Sequence, residues 1–335
     1  MLKNRLFRPE WVDLHWMNQF ESVADPFWIR TTYAVAAAMF ASAPGFEIVT
    51  EGMTEEKLDR PVILATNHTH RFDWLPPRFI IFKYFGKELS SWIKPRGFAE
   101  SRQQQFFLSK TGNIPMASMG FVIVADHIEL FGERPDEATY RALRNHISEG
   151  EPLPATPYFE RVLRESRPML GWNFHAGIMS YRDALKATFK AMMDESMRLA
   201  RRAMSAGQLM HVYPEGLVSS RLCPGRVGTL QLALSLGCDI LPVGISGVRE
   251  AFANGARPVP GSKVIMRFGE VYEIPRAQYP EAFGAFDPAD SKAFHGPLQG
   301  HTDEYMNMLN DLLEPEYQWM PDGTSDGLQG VDRFV

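Results

Sequence analysis

Short, wholly apolar runs separated by amphipathic stretches and by glycine- or proline-rich breaks set the rhythm of this chain. Pro61-Val62-Ile63-Leu64-Ala65-Thr66 has the length and character of a strand buried on both faces. A polar loop follows, and then Trp74–Phe85, with Leu75, Phe79, Phe82 and Phe85 apolar and Pro76-Pro77 in the first turn, where missing backbone N–H groups cost least. Ser90–Lys94, Ile114–Met116, Gln208–Tyr213 and Asp239–Val243 read as further short strands. Phe98–Leu108, Thr229–Leu236 (closed by Gly237) and His301–Leu313 read as helices. Gly120–Leu130 fits a strand or a helix, and Lys263–Ile274 a strand pair or one long bent strand. This alternation predicts an α/β fold with a central mixed sheet flanked by helices on both sides.

Two segments depart from the alternation. Residues 1–45 form an N-terminal helical segment rich in large apolar side chains, among them Trp11, Trp16, Phe20, Trp28 and Tyr33. Asp25-Pro26 divides it into two helical pieces, because proline disfavours helix in the residue before it. A membrane-facing surface and simple packing on the main domain are both open here, packing being the ordinary role of aromatics at helical spacing. Within a main domain of residues 46–322, residues 133–205 read as a helical insertion. Asp136–Ser148 is helical in pattern, 151–157 is proline-rich, and Ser180-Tyr181-Arg182-Asp183 resembles a capping box opening a helix to Gly207. Residues 323–335 form a polar tail.

Composition narrows the function. The chain has 335 residues, 45% hydrophobic and 22% charged, which is globular. A net charge of −5 argues against a nucleic-acid partner held by a general basic field. Two cysteines, Cys223 and Cys238, give no disulfide or zinc framework and suit a reducing compartment. No apolar window reaches the roughly 20 residues of a spanning helix, and Lys3, Arg5 and Arg8 precede no signal-peptide core. The expectation is a cytoplasmic protein, with peripheral contact at the inner membrane face left open.

The loop after the first buried run carries the chemistry: Asn67-His68-Thr69-His70-Arg71-Phe72-Asp73. A histidine takes a proton near neutral pH, and a nearby carboxylate fixes its tautomer and steadies the imidazolium. Such a pair can draw the proton from a hydroxyl that attacks a carbonyl. Asp73 also suits a helix N-cap, a compatible role. A second landmark, Tyr213-Pro214-Glu215-Gly216, closes a later strand and puts a carboxylate on a tight turn.

Asn67-His68 with Asp73 five residues on, Pro214-Glu215-Gly216, and Ile240-Leu241-Pro242-Val243 come in the order found in the glycerolipid acyltransferases, the group of lysophosphatidic acid and glycerol-3-phosphate acyltransferases, and the chain resembles that family. The resemblance covers roughly residues 46–131 and 206–250. It implies His68 and Asp73 as the catalytic pair, and Glu215, Gly216 and Asn67 among the residues that bind substrate. It implies an acyl thioester of coenzyme A or acyl carrier protein as donor, a lysophospholipid-like or other lipid acceptor, and no metal or bound cofactor. His68 and Glu215 lie 147 residues apart, more than in compact members of the family, which is why 133–205 reads as inserted.

The departures concern phosphate. The family's second motif ends in arginine, and its counterpart here, Gly112–Ser118, ends in Ser118; Leu217 and Val218 replace threonine and arginine in the third motif. Lys94, Arg96 and Arg221 are candidates to supply the missing positive charge, and an acceptor larger and more apolar than glycerol 3-phosphate is expected. Two other classes stay open. His68-x-His70 also matches the paired ligands of metal-dependent hydrolases, and the altered motifs permit a catalytically silent lipid-binding relative.

Overall fold

The computed structural model describes residues 9–21, 24–281, 283–284, 286–320, 326–328 and 330–331. Lys3, Arg5, Arg8 and most of the 323–335 tail lie outside them. In chain order the strands are β1 (Glu47–Glu51), β2 (Val62–Thr66), β3 (Leu89–Ile93), β4 (Ile114–Pro115), β5 (Arg167–Met169), β6 (Trp172–Phe174), β7 (Leu209–Val212), β8 (Asp239–Ser246) and β9 (Lys263–Phe268). The chain divides into two compact units. One comprises Met1–Val23, Trp92–Leu199 and Leu328–Val335, the other Ala24–Ser91 and Ala200–Gly327.

The second unit is built on a sheet ordered β1-β9-β8-β2-β7-β3. Every neighbouring pair is parallel except β8 with β9, so the sheet is mixed but mostly parallel, as the alternation of elements predicts. All five residues of β2 are buried, which places that strand in the interior with both faces covered. On one face Val62, Leu64, Leu241, Val243 and Ile245 share a core with Ala36 and Phe40 of helix Pro26–Ala41 and with Leu75, Ile80 and Ile81 of helix Leu75–Phe85. Helices Gly228–Leu236 and His295–Asp311 pack against β8 as well.

Local signals explain the boundaries. Asp25 caps helix Pro26–Ala41, its carboxyl accepting from Phe27 N–H at 3.0 Å. Helix Leu75–Phe85 opens with Pro76-Pro77 and ends at Gly86 in the left-handed region. Of the long stretch Lys263–Ile274, only Lys263–Phe268 is strand; Tyr272 returns as an isolated bridge to Ile240.

In the first unit the ambiguous run becomes helix Met119–Phe131, capped by Ser118 and closed by Gly132. A buried polar knot holds it. Arg167 donates to both oxygens of Asp126 at 2.8 Å, and the Tyr181 hydroxyl donates to Oδ2 at 3.0 Å. Trp16 and Phe20 stack at 4.4 Å and both meet Phe98, so these two aromatics of the N-terminal segment pack inside the unit. Between helices Pro157–Arg164 and Tyr181–Ser205 lies the hairpin β5–β6, which the hydrophobic pattern did not announce.

Gly247 joins β8 to the short helix Val248–Ala251 with φ of 86°, and a Cβ there would collide with the Lys263 carbonyl oxygen. Gly247→Ala is therefore expected to destabilise the protein by roughly 1–3 kcal/mol, from left-handed strain and displacement of β9 together. Urea unfolding measures it, and an unchanged midpoint would contradict this account of the β8–β9 edge.

Candidate functional site

The site is built where β2 and β7, neighbours and parallel, reach their carboxyl ends, the region in which open α/β sheets hold ligands. β2 hands over to Asn67, which is fully buried. Its side-chain amide donates to the Ile245 carbonyl and its carbonyl oxygen accepts from Ile245 N–H, both at 2.8 Å. The chain therefore leaves the sheet locked to β8. His68 comes next, and both of its backbone groups are held: N–H donates to Glu215 Oε1 at 3.1 Å, and the carbonyl accepts from Ser219 N–H at 2.9 Å.

Asp73 then draws the loop into a tight coil. Its Oδ2 accepts from Thr69 N–H at 2.5 Å, from His70 N–H at 2.7 Å and from the His68 ring Nδ1 at 3.1 Å. A carboxylate only accepts, so the contact puts the proton on Nδ1 and leaves the Nε2 lone pair for another proton. Among the described residues Nε2 has no hydrogen-bond partner, and the side chain is one-fifth exposed while Asp73 is buried. The His68 ring lies flat on Tyr213, with centroids 3.9 Å apart and planes 15° apart. Here the structure places a held imidazole with an open nitrogen, the requirement for general-base chemistry.

Beneath the site is a layer of buried polar groups. His211 on β7 reaches Thr66 Oγ1 at 2.9 Å through Nε2 and Ser91 Oγ at 3.1 Å through Nδ1. Neutral imidazole suits two hydroxyls, one donating and one accepting. Burial, reinforced by the nearby Arg78 guanidinium, pushes the His211 pKa down to about 3. Arg78 itself is brought down to about 10 by burial, against the opposing influence of Glu88, and stays charged at neutral pH. Burial also pushes Glu215 and the Tyr213 hydroxyl well above their ordinary values. His70 is shifted down, first by burial and then by Arg71, His68 and Arg249, with Asp73 opposing.

The other residues expected from the sequence have different positions. Gly216 follows Glu215 with φ of 66°, and a Cβ there would press on the Arg226 side chain. Arg221 spends its guanidinium on the carbonyls of Gln318 and Pro315, at 3.0 and 2.8 Å. Lys94, Arg96 and Ser118 belong to the other unit. There Lys94 precedes helix Pro95–Ala99, Arg96 pairs with Glu100 at 3.4 Å, and the Ser118 hydroxyl caps a helix by accepting from Phe121 N–H at 3.1 Å. Tyr213 and Ser219, which the sequence reading did not single out, touch His68 directly; both lie beside the Pro214-Glu215-Gly216 turn. Among the described residues, no three His, Cys, Asp or Glu side chains gather in a way that could hold a metal ion.

No family model matches the chain, and no curated protein does. Among solved structures it is similar to the 1-acyl-sn-glycerophosphate (LPA) acyltransferase PlsC from Thermotoga maritima, with a TM-score of 0.38 and 14% identity over 83% of this chain and 79% of that one. That likeness is distant.

The depressed pKa of His211 has a consequence in acid. The unfolded chain protonates this histidine below about pH 6.5, while the native state stays neutral to about 3. Unfolding then takes up a proton, so this contribution to stability falls as pH drops through that window, approaching about 1.4 kcal/mol per pH unit. His211→Asn is expected to flatten the fall in the urea midpoint between pH 6.5 and 4 relative to the parent protein. Parallel curves would show that His211 is not the group responsible.

Proposed function

We propose that this protein transfers an acyl group from a thioester of coenzyme A or acyl carrier protein to a hydroxyl or amine of a lipid-like acceptor. One observation carries the reading: His68 Nδ1 stands 3.1 Å from Asp73 Oδ2 in a loop held by hydrogen bonds at Asn67, His68, Thr69, His70 and Asp73, with Nε2 left open among the described residues. The motif order around that loop supplies the acyl-transfer assignment. In the proposed reaction the acceptor hydroxyl gives its proton to His68 Nε2 as its oxygen bonds to the thioester carbonyl carbon. The tetrahedral intermediate then collapses, the carbon–sulfur bond breaks, and the departing thiolate takes the proton back from the imidazolium. Asp73 keeps the ring in the productive tautomer and balances its transient charge.

The acceptor reading follows from charge. Ser118 caps a helix and Arg221 is bound to backbone carbonyls, so neither supports recognition of a small phosphate-bearing acceptor. We favour a larger, more apolar acceptor. The test offers glycerol 3-phosphate, lysophosphatidate and uncharged or amine-bearing lipids with one acyl thioester, and follows acylated product. His68→Ala is expected to lower kcat/KM by about 10²- to 10⁴-fold with little change in thermal stability. Activity within a few-fold of the parent would remove His68 from the role, and highest kcat/KM with glycerol 3-phosphate would remove the acceptor reading.

A lipid surface is the proposed peripheral partner, at a place different from the Trp11–Phe20 stretch. Among the described residues no helix is long and apolar enough to cross a membrane. Helices Pro26–Ala41 and Leu75–Phe85 contain no acidic residue, carry Arg30 and Lys83, and expose Phe27 (67%), Val35 (62%) and Tyr84 (57%). Exposed aromatics with cations and no carboxylates suit an anionic bilayer. The parent is expected to sediment with vesicles containing phosphatidylglycerol. Replacing Phe27, Val35 and Tyr84 together by serine should reduce the bound fraction about tenfold without unfolding, since these side chains bury little. Equal sedimentation of the two proteins would clear this face of the role.

A further inference from the structure

The resemblance makes Glu215 a ligand of the acceptor, yet the side chain is turned the other way. It is 1% exposed. Oε1 accepts from the His68 backbone N–H at 3.1 Å, and Oε2 accepts from the Cys223 thiol at 3.3 Å. The turn that carries it is fixed from both ends: Gly216 N–H donates to the Tyr213 carbonyl at 3.0 Å, and Arg226 N–H donates to the Pro214 carbonyl at 2.9 Å. The Glu215 carbonyl in turn accepts from Arg226 Nε at 3.1 Å. No oxygen of this carboxyl is left facing open space.

We infer that Glu215 is a positioning residue: it braces the backbone of His68 against the loop after β7 and does not touch the acceptor. With Ser219 N–H on the His68 carbonyl, it grips both sides of the one residue whose ring must stay within reach of Asp73 and of the reacting hydroxyl. Burial pushes this carboxyl well above its ordinary range, which suits a brace that works without charge. A carboxylate meant to bind a hydroxyl or a cationic head group would need the charge and the exposure that this one lacks. The groups that bear on the Glu215 carboxyl are the His68 amide, the Cys223 thiol and backbone and, through the field, Asp73, while the Arg226 guanidinium meets the Glu215 carbonyl.

This inference rests on the proposed acyl transfer for its kinetic readout, and a second readout does not depend on activity. Glu215→Gln keeps an oxygen that can accept from His68 N–H, while it removes the ionisable group and puts an amide NH2 in place of the oxygen that accepts from Cys223; Glu215→Ala removes the brace. In acyl-transfer assays, Glu215→Ala is expected to lose kcat by about 10- to 100-fold with acceptor KM within a factor of about three, the signature of misplacing a group that acts in the transition state. Glu215→Gln should recover most of that loss. Native-state hydrogen exchange is the second readout: the His68 amide should lose protection in Glu215→Ala and keep it in Glu215→Gln. Acceptor KM rising tenfold or more in both variants with kcat preserved would overturn the inference and make Glu215 an acceptor ligand. Unchanged protection of the His68 amide in Glu215→Ala would overturn it too. If Glu215→Ala fails to fold, Glu215→Gln decides: a loss of activity with the amide still protected means the charge itself is used. Absence of any acyl transfer in the parent would sink the proposed function, while the exchange experiment would still judge the brace.

Discussion

The side chain of Asn67 is the constraint on which the site depends. It stands where β2, buried along its whole length, gives way to a loop, and there a buried amide must find partners or cost free energy. It finds both on one residue, donating to and accepting from Ile245 at 2.8 Å. The pairing substitutes for the ladder bonds that a longer β2 would have made with β8, so the chain can leave strand geometry without leaving backbone groups unpaired. His68 is thereby fixed one residue beyond a rigid sheet. Asp73 closes the coil behind it, and Glu215 and Ser219 hold its backbone from β7's side. A base placed this way loses little freedom when a substrate arrives, which is the physical content of preorganisation.

Charge is managed by separation. The buried layer beneath the site holds one cation, Arg78, and a histidine kept neutral, His211. Two more groups above it, Glu215 and Tyr213, are pushed toward their uncharged forms by burial. Asp73 is the carboxylate that meets the His68 ring, and burial shifts His70 beside it toward its neutral form. One carboxylate facing one imidazole is the simplest way to make proton uptake at Nε2 depend on a single partner.

Local features of the site and fold were legible in the sequence, and long-range ones were not. The His68–Asp73 pair follows from five residues of spacing after an apolar run, because a short loop leaves the two side chains little choice but to meet. The strand assignments at β2, β3, β7 and β8 rest on the same local logic. The direction of Glu215 was not legible, since its partner lies 147 residues away and nothing in Pro214-Glu215-Gly216 says which side the carboxyl faces. The run Gly120–Leu130 was ambiguous because Gly120 to His127 are buried without a break, which erases the period that separates helix from strand; Ser118 and Gly132, a cap at each end, were the available signals. The β5–β6 hairpin turns on Leu170-Gly171, both with positive φ, where Asn-Gly would have advertised the turn. β1 is half-exposed and begins and ends in glutamate, so hydrophobicity hardly marks it.

Ser118 and Arg221 illustrate a general difficulty in carrying function by motif position. Each occupies a place where phosphate contact was anticipated, and each is committed to the architecture instead, one to a helix N-terminus and the other to two carbonyls near residue 316. A guanidinium with two backbone partners is anchored where it stands, and swinging it toward a different site would cost charge-assisted bonds of roughly 1.5–3 kcal/mol each. Arg71 and Arg249 are cations that bear on His70 in the His68 loop. Arg71 lies over the Phe72 ring at 4.9 Å, Arg249 pairs with Glu250 at 3.7 Å and His70 faces the buried Phe252 at 6.4 Å, so these groups too are engaged by their neighbours in the fold.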